Sequence, residues 1–148
     1  MLLQATGTLL VLGHDGRVLR RFAPRERPLE AKLDAARLAV IDRVALSVFD
    51  LHSGRRLHRL ALQLAGTGTP HLAGISGKVA TYIAGAAVHL LDIKHGTDIV
   101  LAVPGIAPPV RAALTEAGLF YAYQEAHDRM PGRIAFVPRV ELMRALAR

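Results

Sequence analysis

The amino-acid sequence predicts an all-β fold of about three four-stranded antiparallel units, followed by a short helical tail. Two markers predict it, and both repeat with a period of roughly 40 residues. The first marker is a glycine between two apolar runs, at Gly16, Gly54 and Gly96. The second marker is a small residue whose two intervals are equal: Ala36, Gly77 and Gly118. Two independent markers that recur with nearly the same period indicate a true repeat, and the length of that period indicates the architecture.

Each glycine of the first marker is predicted to close a β-hairpin. Two apolar runs joined by a short polar turn are typical of a hairpin, and such turns often place one residue at positive φ. Glycine tolerates that conformation because it has no Cβ. The pairs of apolar runs are residues 9–12 and 18–22, 46–51 and 57–64, and 88–93 and 99–103.

The second marker is predicted to join two further strands upstream of the hairpin, which gives four strands in each full unit. These strands are apolar at nearly every residue, as expected when both faces of a sheet are buried. Four-stranded sheets of roughly 40 to 45 residues that stack face to face are the blades of a β-propeller. Asp50 and Asp92, which shortly precede their turn glycines, are expected to accept backbone N–H bonds within the turns.

The whole chain, residues 1–148, is predicted to be a single propeller-like domain. Its thirteen or so strands amount to about three blades, fewer than the typical four to eight of a closed ring. Exposed blade faces favour association. We therefore expect either that the chain is one part of a longer propeller, or that self-association or a protein partner completes the ring. The predicted divisions are an N-terminal hairpin (1–30), two blades (31–66 and 67–105), an incomplete blade (106–138) and the tail (139–148).

Two hairpins resemble the blades of the WD-repeat and quinoprotein-like propeller superfamilies, in the segments SVFDLHSGRRL and HLLDIKHGTDI. The segment ALTEAGLFYAYQEAHDRMPGRIAFVP resembles the closing blade of bacterial propeller proteins, which implies a bacterial protein and a C-terminal portion of such a propeller. The chain has no tryptophan, so it lacks the Trp-Asp pair of WD-repeats and the docking tryptophan of quinoprotein blades. That absence argues against a pyrroloquinoline quinone site, and no cofactor is predicted.

Composition excludes several classes of protein. The chain is 51% hydrophobic, which argues against general disorder, and it has no cysteine, which excludes disulfides, thiolate zinc sites and a cysteine nucleophile. No apolar stretch approaches the roughly 20 residues of a membrane span. No basic residue precedes Arg17, so the N-terminus lacks the layout of a secretory signal. A cytoplasmic location is the default expectation.

The net charge of +7 is concentrated in the segment 1–60, which contains eleven Lys and Arg but only six Asp and Glu. If the second strand of each hairpin is an outer strand, its arginines form a basic rim that attracts anions or an acidic partner. The alternative is that these arginines protect edge strands from sheet-to-sheet pairing. The rim residues are Arg17, Arg20, Arg21, Arg55, Arg56 and Arg59.

No catalytic or metal-binding residue is predicted. The chain has no nucleophile elbow, phosphate loop, His-Glu-x-x-His motif or dinucleotide fingerprint. His14, His52 and His95 lie near hairpin turns, but equivalent turns of successive blades are too far apart to share one ion. A propeller enzyme assembles its site from several blades, so spacing along the chain does not decide whether this protein is an enzyme.

Three hypotheses about function remain. The leading one is a non-catalytic propeller scaffold or protein-interaction module, because the repeat is clear and no chemical motif accompanies it. The first alternative is a ligand-binding or enzymatic propeller whose channel-face site is completed by further blades. The second alternative is electrostatic binding of nucleic acid or an anionic polymer through the arginine rim. Fold alone does not choose among them.

Overall fold

The computed structural model describes residues 1–5, 7–24, 26–62, 69–85, 87–101, 109–123 and 132–147. Within these residues, fourteen strands and one helix follow in chain order. They are β1 (Leu2–Ala5), β2 (Thr8–Leu12), β3 (Val18–Phe22), β4 (Glu30–Leu33), β5 (Arg37–Ile41), β6 (Ala45–Asp50), β7 (Arg56–Ala61), β8 (His71–Ser76), β9 (Val79–Ala84), β10 (Ala87–Asp92), β11 (Thr97–Leu101), β12 (Pro109–Leu114), β13 (Gly118–Tyr123), β14 (Arg133–Pro138) and α1 (Arg139–Leu146).

The strands form four antiparallel sheets, each built from consecutive strands. The first sheet is β1-β2-β3, the second β4-β5-β6-β7, the third β8-β9-β10-β11 and the fourth β12-β13-β14. The predicted all-β class, the four-stranded antiparallel unit and the C-terminal helix are confirmed. The two incomplete end units each form a sheet of three strands, and β1 adds a strand to the predicted N-terminal hairpin. The predicted boundaries at residues 66–67 and 105–106 lie outside the described residues.

The turn glycines adopt the conformation that the repeat predicts. Gly16, Gly54 and Gly96 have φ values of 80°, 74° and 72°, in the left-handed region that favours glycine. The two turn aspartates also act as expected. Asp50 accepts hydrogen bonds from the backbone N–H and the hydroxyl of Ser53, and Asp92 accepts one from the backbone N–H of Lys94 at 2.8 Å.

Asp92 makes its turn sensitive to acid. Partial burial acts to raise the pKa of Asp92, but hydrogen bonds from His95 and the turn N–H groups outweigh it and hold that pKa below its usual value. A carboxyl with a lowered folded-state pKa stabilises the fold above its unfolded-state pKa, near 4, and this contribution is lost as the pH falls through the folded-state pKa.

We therefore expect Asp92→Asn to destabilise the protein at pH 7 by about 1 kcal/mol, the value of a typical hydrogen bond. Thermal unfolding followed by circular dichroism at pH 7 and at pH 3 measures it. The difference between the variant and the parent should shrink at pH 3, which lies below the unfolded-state pKa, because protonation of the unfolded chain then reduces the contribution of the carboxylate. A difference of equal size at both pH values would contradict the assignment.

The sheets stack face to face in chain order, and each junction holds one apolar cluster. Leu9 and Val11 of the first sheet pack on Leu38 and Val40 of the second. The second and third sheets share the cluster Ala39, Ile41, Leu46, Val48, Leu72, Ile75, Ala80, Tyr82, Ala84, Leu91 and Ile93. The third and fourth sheets share the cluster Ala73, Val79, Ile83, Val88, Leu90, Leu119 and Leu142. All six residues of β9 are buried, because the sheet that contains it is covered on both faces.

The first strands of the four sheets lie along a common inner edge. β4 contacts both β1 and β8, and β8 contacts β12, so these four strands are successive neighbours. β3, β7 and β11 form the opposite, outer edges of their sheets. The helix α1 follows β14 directly and buries Leu142 in the cluster between the third and fourth sheets. No helix within the described ranges is long and apolar enough to cross a membrane.

Candidate functional site

The inner edge of the stack is held by a hydrogen-bond network centred on His71. Its Nδ1 lies 2.6 Å from Oε1 of Glu30 in the second sheet, and its Nε2 lies 3.2 Å from the carbonyl oxygen of Ala112 in the fourth. Glu30 and Ala112 are each 41 residues from His71, so the three residues occupy equivalent positions in successive repeats. Both ring nitrogens therefore face oxygen atoms that can accept a hydrogen bond.

A cavity of about 400 Å³ opens beside this network, lined by Leu2, Leu9, Leu29, Glu30, Ala31, Lys32, His71 and Arg111. The carboxylate and the imidazole that line it are already bonded to each other. The second carboxylate oxygen of Glu30 accepts the backbone N–H of Leu72 at 3.2 Å. A carboxylate with both oxygens occupied and an imidazole with both nitrogens occupied fit a structural clamp better than a general acid and base.

Four of the six arginines expected to form a basic rim lie on outer edge strands. Arg20 and Arg21 lie on β3, and Arg56 and Arg59 on β7, the outer edge strands of the first two sheets. Arg17 precedes β3; its side chain is 87% exposed and pairs with Asp15 at 3.5 Å. Arg20 reaches across to the second sheet, where its guanidinium donates to the carbonyl oxygen of His52.

The structure brings only some of these arginines together. Arg55 and Arg56 line one cleft of about 560 Å³ between the second and third sheets, whereas Arg59 on the same strand does not. The cleft, called here the basic cleft, is lined by Arg37, Arg55, Arg56, Leu57, His58, Lys78, Ile93 and Lys94. Arg37, Lys78 and Lys94 were not predicted from the sequence. The first two had a signal, because each directly follows a copy of the second repeat marker.

A polar cluster lies between strands of the third sheet. The hydroxyl of Tyr82 donates to Oδ2 of Asp98 at 2.9 Å, and Nδ1 of His89 lies 3.0 Å from the same oxygen. The rings of Tyr82 and His89 stack with centroids 4.7 Å apart. Burial, reinforced by the negative charge of Asp98, raises the pKa of Tyr82 far above its usual value. Tyr82 is therefore a stable donor that crosslinks the sheet, rather than a nucleophile.

The three turn histidines lie at separate turns. His14 and His52 are exposed, and Nδ1 of His95 lies 2.7 Å from Oδ2 of Asp92. Among the residues that the structure describes, no group of three His, Cys, Asp or Glu side chains is arranged to hold a metal ion.

One face of the fourth sheet is largely apolar and left open by the described residues, with the exposed Arg111 paired beside Ala122 on the same side. Register pairs Phe120 with both Ala113 and Phe136, and Ala122 with Ile134, so these side chains share a face. Ile134 is 76% exposed, Phe136 44% and Phe120 41%. The rings of Phe120 and Phe136 lie 4.6 Å apart. The opposite face carries Leu119, which is fully buried against the third sheet. This open face is called the C-terminal face.

The first sheet, at the other end of the stack, has a similar open face. Leu9 and Val11 pack toward the second sheet, so Leu10 and Leu12 alternate to the opposite side, where they are half-buried. In the adjoining strand Leu19 is 65% exposed, and the exposed Arg21 is paired with Leu10 on this side. This surface is called the N-terminal face. No apolar cluster of the described residues joins it to the C-terminal face, so the stack is an open arc.

Four antiparallel sheets that stack face to face, with their first strands along a common inner edge, define a β-propeller-like fold. Comparisons with solved structures support this class. The chain is similar to Kuenenia stuttgartiensis hydrazine synthase, with a TM-score of 0.65 at 15% identity over 92% of this chain. It is similar to the computationally designed Ika4 protein, with a TM-score of 0.57 at 11% identity over 92% of this chain. It is also similar to the N-terminal domain of Nup159, with a TM-score of 0.53 at 10% identity over 95% of this chain.

These likenesses show the fold alone, because all three identities are low. The chain spans 41% of the hydrazine synthase chain and 42% of the Nup159 domain, but 89% of the Ika4 chain. No protein family and no curated protein sequence matches the chain. The fold is therefore known from other solved structures. The superfamily, the bacterial source and the C-terminal portion implied by the sequence resemblance stay predictions.

Proposed function

We propose that the chain is a non-catalytic propeller scaffold whose open arc is completed by a second copy of itself. The observation that carries the proposal is the pair of open, largely apolar faces at the two ends of the stack. Monomeric soluble proteins rarely expose large contiguous apolar patches, and such patches mark interaction surfaces. Here the exposed side chains belong to sheets whose other faces already pack against a neighbouring sheet.

A two-fold dimer covers both faces with one kind of junction. The C-terminal face of one copy would stack on the N-terminal face of the other, and the symmetry axis would repeat the same junction on the opposite side. The result is a ring of eight sheets, within the usual range of four to eight blades. This chain covers less than half of two of the similar structures, which is consistent with an arc that is half of a ring.

The competing occupant of the end faces is a set of further blades in a longer polypeptide. The alternative of an enzymatic site on the channel face gains no support from the inner-edge network, since Glu30 and His71 are bonded to each other. A scaffold role rests on the open arc and does not require that network to react.

Light scattering coupled to size-exclusion chromatography tests the dimer. We expect a mass of twice 15.9 kDa for the 148-residue chain. Ile134→Arg, on the C-terminal face, places a charge in the junction and should weaken dimerisation at least tenfold, because an unpaired charge is costly to bury. Val100→Arg is the matched control, since Val100 is 63% exposed on the outer strand β11 of an interior sheet. It should leave the mass unchanged.

A stable, soluble monomer at every concentration would contradict self-association. A dimer that both arginine substitutions weaken equally would contradict the proposed junction, because that result would place the interface away from the C-terminal face.

A further inference from the structure

The basic cleft gathers cationic side chains from two sheets at one place. Arg56 begins β7 and Arg55 directly precedes it, and Arg37 begins β5, all in the second sheet. Lys78 and Lys94 lie in the β8–β9 and β10–β11 turns of the third sheet. The first and third turns of a four-stranded antiparallel sheet lie at the same end, so these residues share one end of the stack. No carboxylate of the described residues lines the cleft.

Three aspartates of the turns at this end of the stack already accept hydrogen bonds within the second and third sheets. Asp34 accepts the backbone N–H groups of Ala36 and Arg37 at 2.8 and 2.7 Å, and its second oxygen accepts that of Gly77 at 2.9 Å. Asp50 and Asp92 are held within their own turns. Hydrogen bonds from Ser53 hold the pKa of Asp50 below its usual value, so this carboxylate is stabilised without the cleft.

The cationic side chains of the cleft therefore form no ion pair with a carboxylate of the described residues. The ion pairs of the described residues involve Arg17, His71, His89 and His95, and none involves a cationic side chain of the cleft. Arg37 donates to the carbonyl oxygen of Gly77, which fixes its guanidinium between the two sheets without neutralising it. Cations that converge without a carboxylate repel one another unless an anion joins them.

Protection of an edge strand does not account for this arrangement. That role explains exposed arginines on β7, including Arg59, which is not part of the cleft lining. It does not explain Lys78 and Lys94, which lie in turns of the next sheet and have no edge to protect. The convergence of two sheets on one concavity is what a binding site requires.

We propose that the basic cleft binds a compact anion that carries several phosphate groups, an oligophosphate. Arginine pairs with phosphate through two parallel hydrogen bonds, and lysine adds a mobile point charge. The volume of about 560 Å³ lies within the range of about 300 to 1,000 Å³ that small-ligand pockets occupy. Among the described lining residues there is no Phe, Tyr or Trp on which a base could stack. The recognition is therefore of the phosphate chain and not of a nucleobase.

Isothermal titration calorimetry with sodium tripolyphosphate tests the site on the full chain. Sodium sulfate at matched ionic strength is the reference anion. We expect saturable binding of tripolyphosphate and at least tenfold weaker binding of sulfate. The double variant Arg56→Glu/Lys94→Glu should weaken tripolyphosphate binding by about tenfold to hundredfold, the loss expected for charge-assisted hydrogen bonds.

The matched control is Arg43→Glu/Arg59→Glu, which changes the net charge equally on exposed residues of the second sheet outside the cleft. It should change the affinity less than about threefold, the scale of a long-range screened effect. Circular dichroism checks that both variants are folded. If Arg56→Glu/Lys94→Glu is not folded, the neutral variant Arg56→Gln/Lys94→Gln takes its place. The parent measurement stands on its own in either case.

Three results would overturn the proposal. If tripolyphosphate binds no more tightly than sulfate, general electrostatic attraction explains the binding and the cleft is not a specific oligophosphate site. Equal losses in the cleft and control variants would assign binding to net charge. A single-stranded oligonucleotide that binds more tightly than tripolyphosphate through the same residues would assign the cleft to a nucleic-acid backbone.

Discussion

Gly118→Ala is expected to destabilise the protein by about 3 kcal/mol, through backbone strain and overpacking together. Gly118 opens β13 with a φ of 155° and lies opposite Pro138 in β14. A Cβ at this position would meet the carbonyl oxygen of Val137 well inside van der Waals contact, and a ring carbon of Phe136 at 2.8 Å. The carbonyl belongs to the paired strand, so it cannot move away without disturbing the ladder.

The melting temperature should fall by about 10 °C, since 1 kcal/mol corresponds to roughly 2 to 4 °C in a chain of this size. Gly16→Ala is the matched control. Gly16 also has positive φ, at 80°, but nothing lies within 4 Å of the position of its Cβ. It should cost only the left-handed strain of about 1 to 2 kcal/mol. Equal melting temperatures for the two variants would show that the β14 carbonyl does not exclude the Cβ.

Glu30→Ala is expected to destabilise the protein by about 2 kcal/mol, within the range for hydrogen bonds to charged groups. The carboxylate accepts from both His71 and the backbone N–H of Leu72, so its removal leaves two donors of the third sheet without their partner. Denaturant unfolding measures the loss. Glu26→Ala is the control, because Glu26 is an exposed carboxylate near the same strand and such substitutions usually change stability by about 0.5 kcal/mol or less.

A double-mutant cycle with His71→Ala separates the pair from the rest of the network. We expect the double variant to be less destabilised than the sum of the single variants by about 1 kcal/mol or more, since the two side chains are in direct contact. Strict additivity would contradict the clamp. His71→Ala also removes the contact to the carbonyl oxygen of Ala112, so its single effect should be at least as large as that of Glu30→Ala.

The features that the sequence predicted are those set by local geometry. The turn glycines were predictable because positive φ penalises any side chain, and the strands because both of their faces are apolar. The N-terminal strand β1 was harder, since its four residues carry too little pattern on their own and its place is decided by pairing with β2. Fourteen strands in four sheets follow from that addition.

The candidate sites were only partly predictable because they are made by packing between sheets. Arg55 and Arg56 were selected for their place on an outer strand, but the same rule also selected Arg59, which does not line the basic cleft. Lys94 could not be predicted from the repeat. It lies in the turn that contains Gly96, and in that turn only the glycine recurs as a repeat marker. Glu30 and His71 occupy equivalent positions in successive repeats but differ in residue type, so the sequence repeat does not reveal them as a pair. Their contact follows from the packing of the two sheets against each other.

The three apolar clusters each join consecutive sheets, and this makes the molecule close to a one-dimensional array. In such an array stability is nearly a sum of terms for each unit and for each junction between neighbours. The two interior sheets take part in two junctions, while the end sheets take part in one. Local unfolding should therefore occur more often in the two end sheets than in the two interior sheets. Partial unfolding of this chain would release one sheet at a time and leave the central pair as the last folded unit.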